Sequence, residues 1–455
     1  MNVPRLMIAA QSSGSGKTTV TCGILQALVN RGMKVSSFKC GPDYIDPMFH
    51  RKVIGADSAN IDTYFCDDNL LKYLFSKNAE GSDIAVIEGV MGFYDGSCLD
   101  SSKDSSCDIS LKLNAPAILI VDSFGSSYSN IAVLKGFLEL EKNSIKGVIF
   151  NRMSGKVFES LKHHVEEMGI IPVGYIPNMK DIRLESRHLG LVMPDEISGI
   201  KEMLNELAER FEKTLDIDAL IRLAGTATEI EFDTPKISEN RYNVRIAVAD
   251  DEAFCFMYHD NLALLESMGA EIVKFSPIHD KTVPKADALI LYGGYPENYA
   301  ETLSENHSMI DSIGKNLSDG MPCLAECGGF MYLHERMEGA DGRMYDLCGI
   351  IKGETKRTQG LVRFGYVDLH SPQIDGVIKA HEFHHWDSDS NGDDWTATDV
   401  DGNSYKCIHD DGQIIAGFPH LYYYSNPAFA ELFLKKASEY GKNACPTLTD
   451  RTGKV

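Results

Sequence analysis

The feature that most restricts the fold is an apolar segment that runs into a glycine-containing loop near the N-terminus. Residues 6–10 are apolar and predict a buried β-strand, while residues 20–29 have helical spacing. The loop between them ends in Gly16-Lys17-Thr18. This order predicts a phosphate-binding loop, in which backbone N–H groups and a helix N-terminus surround phosphates, the lysine adds charge and the hydroxyl reaches Mg²⁺.

The loop departs from the usual pattern at its first position, where Gln11 replaces the expected glycine. The order of strand, loop and helix is unaffected, so we still predict nucleotide binding. The residues expected to contact the nucleotide are Ser13, Gly14, Ser15, Gly16, Lys17, Thr18 and Thr19.

Carboxylates follow the next two predicted strands of the first half. Residues 35–38 lead into a turn that contains Lys39, Asp43 and Asp46, and residues 83–87 end at Glu88. Ligands of open α/β sheets bind at the carboxyl ends of the strands, and a carboxylate at such an end commonly holds Mg²⁺ opposite a phosphate-binding loop. An ordinary Pro/Gly/Asp turn explains the first segment equally well.

The strand pattern predicts two α/β domains, each built on a doubly wound, mostly parallel sheet. Strands at residues 117–121 and 147–150 alternate with helical segments, and new strands begin at residue 244. We assign residues 1–223 to a synthetase domain, 224–243 to a linker, 244–440 to a second domain and 441–455 to a tail.

Composition excludes several classes of function. The net charge of −22 argues against a broad nucleic-acid surface, and no apolar run reaches the length of a bilayer span. The 11 cysteines include no CxxC pair. Reduced thiols in a cytoplasmic protein are the expected state.

The second half contains a predicted nucleophile elbow at Cys327. A short apolar run ends at this cysteine, and Gly328-Gly329 leads into a helical segment. Strand, sharp turn and helix expose the side chain at the turn, and nearby N–H groups can hold an oxyanion. Another glycine pair, Gly293-Gly294, follows a predicted strand and could supply a second donor. A buried structural cysteine is the alternative.

The base that we predict for Cys327 is His420, at the end of a strand before the terminal helix. The segment from His381 to His385 matches the zinc signature H-E-x-x-H, but its period-two pattern is typical of a strand, so we reject a zinc site there. Residues 179–190 are locally basic, which fits a solvated helix face or an anion pocket.

These motifs, taken together and in order, resemble the cobyrinic acid a,c-diamide synthase and cobyric acid synthase group. The segments that carry the resemblance are Gly41–Pro47, Glu88–Gly92, Arg187–Val192, Gly293–Glu297, Ala325–Gly329 with Met331-Tyr332, and His381–His384. The resemblance implies a dethiobiotin-synthetase-like P-loop NTPase domain fused to a class I, triad-type glutamine amidotransferase domain with a flavodoxin-type sheet.

The resemblance also implies roles for individual residues. Cys327 would attack glutamine with His420 as base, and Gly294 and Gly328 would form the oxyanion hole. The loop from Ser13 to Thr19 would bind ATP. The residues implied around Mg²⁺ and the reacting carboxylate are Thr18, Asp46, Glu88 and Asp95, and those implied for the main substrate are Lys39, Asp43, Tyr44 and Ile45.

The implied activity is amidation of the a and c acetate groups of cobyrinic acid in cobalamin biosynthesis, with ATP and glutamine as co-substrates and acyl phosphates as intermediates. A nickel-sirohydrochlorin a,c-diamide synthase of coenzyme F430 biosynthesis has nearly the same motifs. A partitioning or metallochaperone ATPase with a non-catalytic glutaminase-like domain is the alternative from another class, although the loop lacks its extra lysine. The expected partners are small molecules, with neither nucleic acid nor membrane, and a homodimer is an allowed assembly. Tyr422 occupies the place where other triad enzymes carry an acid, so the sequence shows no third triad member.

Overall fold

The computed structural model describes residues 2–97, 99–179, 186–187, 190–191 and 199–444. The chain divides into two compact units, Met1–Pro235 and Lys236–Val455. Within the described ranges, no helix has both the length and the hydropathy that a bilayer span requires.

The first unit is built on a seven-stranded sheet in the order β3-β2-β4-β1-β5-β6-β7. All neighbouring pairs are parallel. The strands are β1 Arg5–Ala10, β2 Val35–Cys40, β3 Asp57–Ile61, β4 Ile84–Glu88, β5 Ala117–Asp122, β6 Ile145–Asn151 and β7 Ile171–Ile176, and a separate two-stranded ribbon pairs β8 Ser186–Arg187 with β9 Gly190–Leu191. Every residue of β1, β2 and β4 is buried, as expected for central strands covered on both faces.

Helices connect these strands. They are α1 Lys17–Asn30, α2 Ile45–Phe49, α3 Asp68–Asn78, α4 Ser106–Lys112, α5 Ser129–Glu139, α6 Gly155–Glu167, α7 Ile200–Thr214 and α8 Ile217–Ala224, with a π-helical turn at His50–Ile54. The first helix begins at Lys17, earlier than the predicted residue 20, because Gly16 ends the loop in the left-handed conformation, with φ of 91°.

The strand order brings the carboxyl ends of β1, β4 and β2 side by side. Glu88, the last residue of β4, pairs with Ile8 of β1 on one side and Lys39 of β2 on the other. The phosphate-binding loop leaves the end of β1. The first unit therefore presents its loop and its carboxylates at one edge of the sheet.

The second unit contains a six-stranded sheet in the order β11-β10-β12-β13-β23-β22, parallel except for the last pair. Two smaller sheets follow the orders β15-β14-β16-β19 and β21-β20-β17-β18-β24. The strands are β10 Val244–Ala249, β11 Ala270–Phe275, β12 Ala288–Leu291, β13 Cys323–Glu326, β14 His334–Glu338, β15 Met344–Asp346, β16 Ile351–Arg357, β17 Arg363–His370, β18 Ile378–His384, β19 Trp386–Ser388, β20 Trp395–Asp399, β21 Ser404–Cys407, β22 His409–Asp410, β23 Ile414–Gly417 and β24 His420–Leu421.

The helices of the second unit are α9 His259–Ser267, α10 Ala300–Glu305, α11 His307–Ser318, α12 Gly328–Tyr332 and α13 Pro427–Ala444, with 3₁₀ turns at Pro296–Tyr299 and Tyr423–Ser425. Strand β13 is central in the parallel sheet, and α12 starts one residue after Cys327. This arrangement is the strand–turn–helix expected of the elbow. The sequence analysis did not foresee the two smaller sheets.

The segment predicted as a linker, residues 224–243, lies mostly outside helices and strands. Its first part contacts the first unit, where the buried Arg5 guanidinium donates to the carbonyls of Leu113, Val3 and Thr228. Burial lowers the pKa of Arg5 to about 10. Its last part contacts the second unit. Glu431 accepts hydrogen bonds there from Ser238, Asn240 and Tyr242.

Candidate active sites

Contacts to the segment after β4 and to the end of β6 hold the phosphate-binding loop in place. The ammonium of Lys17 donates to the carbonyl of Met91 and lies 3.5 Å from that of Ser12. The amide of Asn151, at the end of β6, donates to the carbonyl of Ser15 over 2.9 Å. Burial lowers the pKa of Lys17 to about 8, and the neighbouring Lys39 contributes in the same direction. A phosphate in the loop would favour the charged ammonium.

Glycine is required at the end of this loop. A Cβ on Gly16 would lie 2.5 Å from Asn151 Nδ2, and φ of 91° is strained for any other residue. Gly14 also has a positive φ, but no atom lies within 4 Å of its Cβ position. Ser13 and Gly14 are exposed, whereas Ser15 is buried and its hydroxyl lies 3.1 Å from that of Ser12. Thr19 follows on the first turn of α1 and is half-buried.

A buried ion cluster lies beside the loop. Lys39 Nζ is 2.5 Å from Asp46 Oδ2 and 2.8 Å from Glu88 Oε1, and the Thr18 hydroxyl donates to the same Glu88 oxygen over 2.8 Å. Burial opposes the charge of Lys39, but the carboxylates of Asp46 and Glu88 outweigh it and raise its pKa well above the ordinary value. The pKa of Glu88 is also raised, because burial outweighs the effect of Lys39. The three charged residues Lys39, Asp46 and Glu88, which are separated in sequence, thus lie together.

The cluster has two oxygen atoms to offer a cation. Asp46 Oδ1 and Glu88 Oε2 are buried and accept no hydrogen bond from the residues that the structure describes. Among the residues that the structure describes, no group of three or more His, Cys, Asp or Glu side chains is arranged to hold a metal ion. Mg²⁺ typically takes one or two carboxylates and completes its shell with water and substrate phosphates. The residues present therefore fit a nucleotide-bound Mg²⁺, held by Glu88 or Asp46 together with the Thr18 hydroxyl.

The other predicted site residues of the first unit lie around the ion cluster and on the loop after β4. Asp43 accepts hydrogen bonds from the backbone N–H groups of Ile45 and Asp46, and burial, reinforced by Asp46, raises its pKa to about 7. Tyr44 precedes α2. Ile45, the first residue of α2, is 2% exposed. Asp95 Oδ2 accepts from the N–H of Gly92 and thereby fixes the loop after β4.

Two first-unit residues were missed by the sequence analysis. His50 is fully buried in the π-helical turn, with Nε2 3.8 Å from Glu88 Oε2 and Nδ1 3.1 Å from the Ser37 hydroxyl. Burial lowers its pKa to about 4, so it contacts Glu88 as a neutral ring. Asn151 was missed because it ends β6, whereas its partner Ser15 lies in the loop after β1, far away in sequence. Residues 180–185, 188–189 and 192–198, which include most of the predicted basic segment, lie outside the described residues.

In the second unit, Cys327 occupies a strained turn between β13 and α12. Its backbone has φ of 46° and ψ of −104°, a conformation that a non-glycine residue rarely adopts. The Cys327 N–H donates to the carbonyl of Gly417 over 2.8 Å, which fixes the turn to β23. Burial raises the pKa of the Cys327 thiol, with Glu297 contributing. The thiol therefore needs a base.

Both glycine pairs lie at the elbow. The Cβ position of Gly328 is 3.1 Å from the backbone nitrogen of Gly294, so the two residues expected to donate to an oxyanion are neighbours. A Cβ on Gly294 would lie 2.0 Å from the carbonyl oxygen of Ala253, and one on Gly329 would lie 2.1 Å from that of Leu291. Glycine at these positions permits the close approach of three backbone segments.

His420 and Cys327 meet at Gly293. A Cβ on Gly293 would lie 3.2 Å from His420 Nε2 and 3.3 Å from Cys327 Cβ. Strand β24 carries His420 and pairs with β18, where His381 is directly opposite. Burial, with smaller effects of His381 and His384, lowers the pKa of His420 to about 3. The imidazole is therefore neutral, which is the form that a general base requires.

A carboxylate that the sequence analysis missed faces the other nitrogen of this imidazole. Glu326 Oε2 is 3.9 Å from His420 Nδ1, and both side chains are buried. The sequence showed no third acidic member two residues after His420, and this carboxylate lies instead next to Cys327 in the chain. The signal in the sequence was the position of Glu326 immediately before the nucleophile, but its approach to β24 depends on the tertiary fold.

The H-E-x-x-H match does not lie on a helix. Its first histidine, His381, belongs to β18, which runs from Ile378 to His384, and its second, His385, follows the last residue of that strand, so the two do not have the one-turn helical spacing of the zinc signature. The His384 ring stacks on Phe418 at 3.9 Å between centroids, and its Nδ1 contacts the carbonyl of Trp386. Glu382 is hydrogen-bonded by the Tyr405 hydroxyl. These contacts support the rejection of a zinc-protease motif in this segment.

Comparisons with known proteins match both units. Residues 6–192 match the model of the CobQ/CobB/MinD/ParA nucleotide binding domain, and residues 245–428 match that of the CobB/CobQ-like glutamine amidotransferase domain. A cobyrinate a,c-diamide synthase of Picrophilus torridus is 36% identical, with 96% of this chain and 99% of the relative covered. The corresponding proteins of Fusobacterium nucleatum and Listeria monocytogenes serotype 4b are each 37% identical, with 93% of this chain covered and 98% and 97% of the relatives. The chain therefore belongs to the cobyrinate a,c-diamide synthase family.

Proposed function

We propose that the protein is an ATP- and glutamine-dependent amide synthase that converts the a and c acetate carboxylates of cobyrinate into amides. The near-complete coverage of relatives with that name supports the substrate. The observation that carries the reaction type is the presence of a closed phosphate-binding loop in one unit and a Cys–His elbow in the other. We assign ATP chemistry to residues 1–223 and glutamine hydrolysis to residues 244–440.

The glutaminase step would begin with proton transfer from Cys327 to His420 Nε2. The sulfur would attack the side-chain amide carbon of glutamine, and the N–H groups of Gly294 and Gly328 would stabilise the oxyanion. The C–N bond breaks as the proton passes to the leaving nitrogen, which departs as ammonia. Water then hydrolyses the thioester to glutamate and restores the thiol.

The synthetase step would use the loop of the first unit. Lys17, Thr18 and the loop N–H groups would hold ATP, and the substrate carboxylate would attack the γ-phosphorus to give an acyl phosphate and ADP. Ammonia then displaces phosphate and leaves the amide. Mg²⁺ would neutralise charge on the phosphates when bound at Thr18 and Glu88. Lys39 would place positive charge beside the reacting carboxylate, and we assign Asp43 and Tyr44 to substrate contact.

Incubation with ATP, Mg²⁺, glutamine and cobyrinic acid, followed by mass spectrometry, tests this proposal. We expect a diamide, and ADP formation that depends on the macrocycle. If nickel-sirohydrochlorin gives the diamide while cobyrinic acid remains unchanged, the substrate assignment is wrong and the reaction type stands. If ATP is hydrolysed without amidation of either macrocycle, the protein is an ATPase and the proposal fails.

A further inference from the structure

The buried carboxyl group of Glu326 requires an explanation. It ends β13 in the centre of the parallel sheet, and its residue is 2% exposed. A carboxyl group in such a place destabilises the fold unless it is paired or hydrogen-bonded. Its neighbour Cys323, three residues earlier on the same strand, is an apolar core residue.

The contacts of Glu326 all lead to the segment that carries the catalytic base. Oε2 lies at ion-pair distance, 3.9 Å, from His420 Nδ1, and Oε1 is 3.4 Å from the N–H of Leu421. The Tyr423 hydroxyl donates to the same carboxyl group and lies 3.2 Å from the Tyr292 hydroxyl. Glu326 thus contacts three of the four residues from His420 to Tyr423. The fourth, Tyr422, has its hydroxyl 3.3 Å from Asp260 Oδ2.

The His420 imidazole lies between Cys327 on one side and Glu326 on the other. The Cε1 and Nε2 atoms of His420 face the Cβ position of Gly293, where Cys327 Cβ also lies, while Nδ1 faces Glu326. A base that takes the thiol proton on Nε2 must carry its own proton on Nδ1. Glu326 Oε2 faces Nδ1 at ion-pair distance, and it would accept that proton in a hydrogen bond once the two side chains close from 3.9 Å.

We propose that Glu326 is the positioning residue of the glutaminase site, holding His420 in the tautomer that deprotonates Cys327 and stabilising the imidazolium that forms. The inference rests on the proposed function. It places the acid on the residue before the nucleophile, and not two residues after the histidine. One strand, β13, then fixes both the sulfur and the carboxyl group that orients its base.

Burial explains why the two groups act together. It raises the pKa of Glu326 well above its usual range and lowers that of His420 to about 3. Each group alone therefore favours its neutral form, and the proposed role requires Glu326 to be ionised, a form that an imidazolium 3.9 Å away favours. Proton transfer from Cys327 to His420 would then create the positive charge that the Glu326 carboxylate balances.

The test is glutamine hydrolysis by Glu326→Gln, with Glu326→Asp as the variant that keeps the acid. We expect Glu326→Gln to lower kcat about 10- to 100-fold with little change in the KM for glutamine, and Glu326→Asp to recover part of the loss. Glu431→Gln, a matched change elsewhere in the second unit, should leave hydrolysis unchanged. Wild-type kcat in Glu326→Gln, or no difference between the Gln and Asp variants, would overturn the proposal.

A measurement on the wild-type protein keeps the proposal testable if the variants do not fold. In protein labelled with ¹⁵N-histidine, we expect the neutral His420 ring to carry its proton on Nδ1. A proton on Nε2 contradicts the proposed role. A wild-type protein that does not hydrolyse glutamine at all contradicts the proposed function instead, so the two failures are distinguishable.

Discussion

Lys39 Nζ lies 2.8 Å from Glu88 Oε1, inside the sheet edge that also carries the phosphate-binding loop. The lysine is the last residue but one of β2, the glutamate is the last of β4, and the register of the two strands pairs them directly. Thr18, the hydroxyl residue of the loop, donates to the same glutamate oxygen. A single carboxylate therefore joins the loop to the lysine that we place beside the reacting group.

Replacement of the Glu88 carboxylate should impair ATP-dependent amidation without impairing glutamine hydrolysis. Glu88→Gln removes the charge that Lys39 and Thr18 share, and we expect ATP-dependent amidation to fall about 100-fold or more while glutamine hydrolysis persists. Glu80→Gln, a change at an exposed residue before the start of β4, should leave both activities unchanged. Full amidation by Glu88→Gln would remove Glu88 from the synthetase step.

Gly16→Ala should prevent nucleotide binding. The new methyl would lie 2.5 Å from Asn151 Nδ2 in a backbone conformation that alanine disfavours. Gly14→Ala is the matched control, because it has the same sign of φ and an empty Cβ position. The shared backbone strain costs about 1–2 kcal/mol. Calorimetric titration with ATP should show the greater loss for Gly16→Ala; equal losses would show that the contact with Asn151 has no effect.

Gly293→Ala should abolish glutamine hydrolysis without unfolding the protein. Its methyl would lie 2.3 Å from His420 Cε1 and 3.3 Å from Cys327 Cβ, so the base must move away from the sulfur. We expect a loss of about 100-fold or more, given the usual contribution of a positioned base. Gly314→Ala, at a helical position with open space around its Cβ, should retain activity. Normal hydrolysis by Gly293→Ala would disprove the His420 assignment.

Acidification should reduce the stability that His384 contributes. Burial lowers its pKa to about 4, and its Nε2 has no hydrogen-bond partner among the described residues. Above pH of about 6.5 the ring is neutral in the folded and unfolded states, but between about 6.5 and 4 only the unfolded state takes up the proton. The free energy of unfolding of the wild type minus that of His384→Gln should therefore fall by about 3 kcal/mol as the pH is lowered across this range.

Urea unfolding at several pH values measures this difference. Leu317→Ala serves as the control, because it removes buried apolar volume and no titrating group, so its deficit should be constant with pH. A pH-independent deficit for His384→Gln would show that His384 is protonated equally in both states.

The sequence predicted residues whose position follows from local order. Glu88 ends an apolar strand, Lys17 begins a helix, and Cys327 stands between a strand and a glycine pair. Each of these patterns is contained in a short segment and has one structural outcome. The phosphate-binding loop, the parallel sheets and the elbow could therefore be anticipated.

The residues that the sequence did not predict depend on contacts between distant segments. His50 contacts Glu88 from a π-helical turn, Asn151 contacts Ser15 across the sheet, and Glu326 contacts His420 on another strand. A local sequence pattern does not show which distant segments lie next to each other or how they are aligned. The two smaller sheets were missed for a similar reason in part. Some of their strands pair with the next strand in the chain, as β17 does with β18, but β16 pairs with β19 and β18 with β24 over longer intervals of sequence.

The most direct test of the two-site account is amidation by Cys327→Ala with glutamine or with ammonia as nitrogen source. The substitution removes the sulfur and leaves the phosphate-binding unit unchanged. We predict that synthesis from glutamine is lost, whereas synthesis from ammonium salts at mildly alkaline pH stays within about twofold of wild type, since the ammonia-dependent step does not use the thiol. Undiminished synthesis from glutamine by Cys327→Ala would contradict the account.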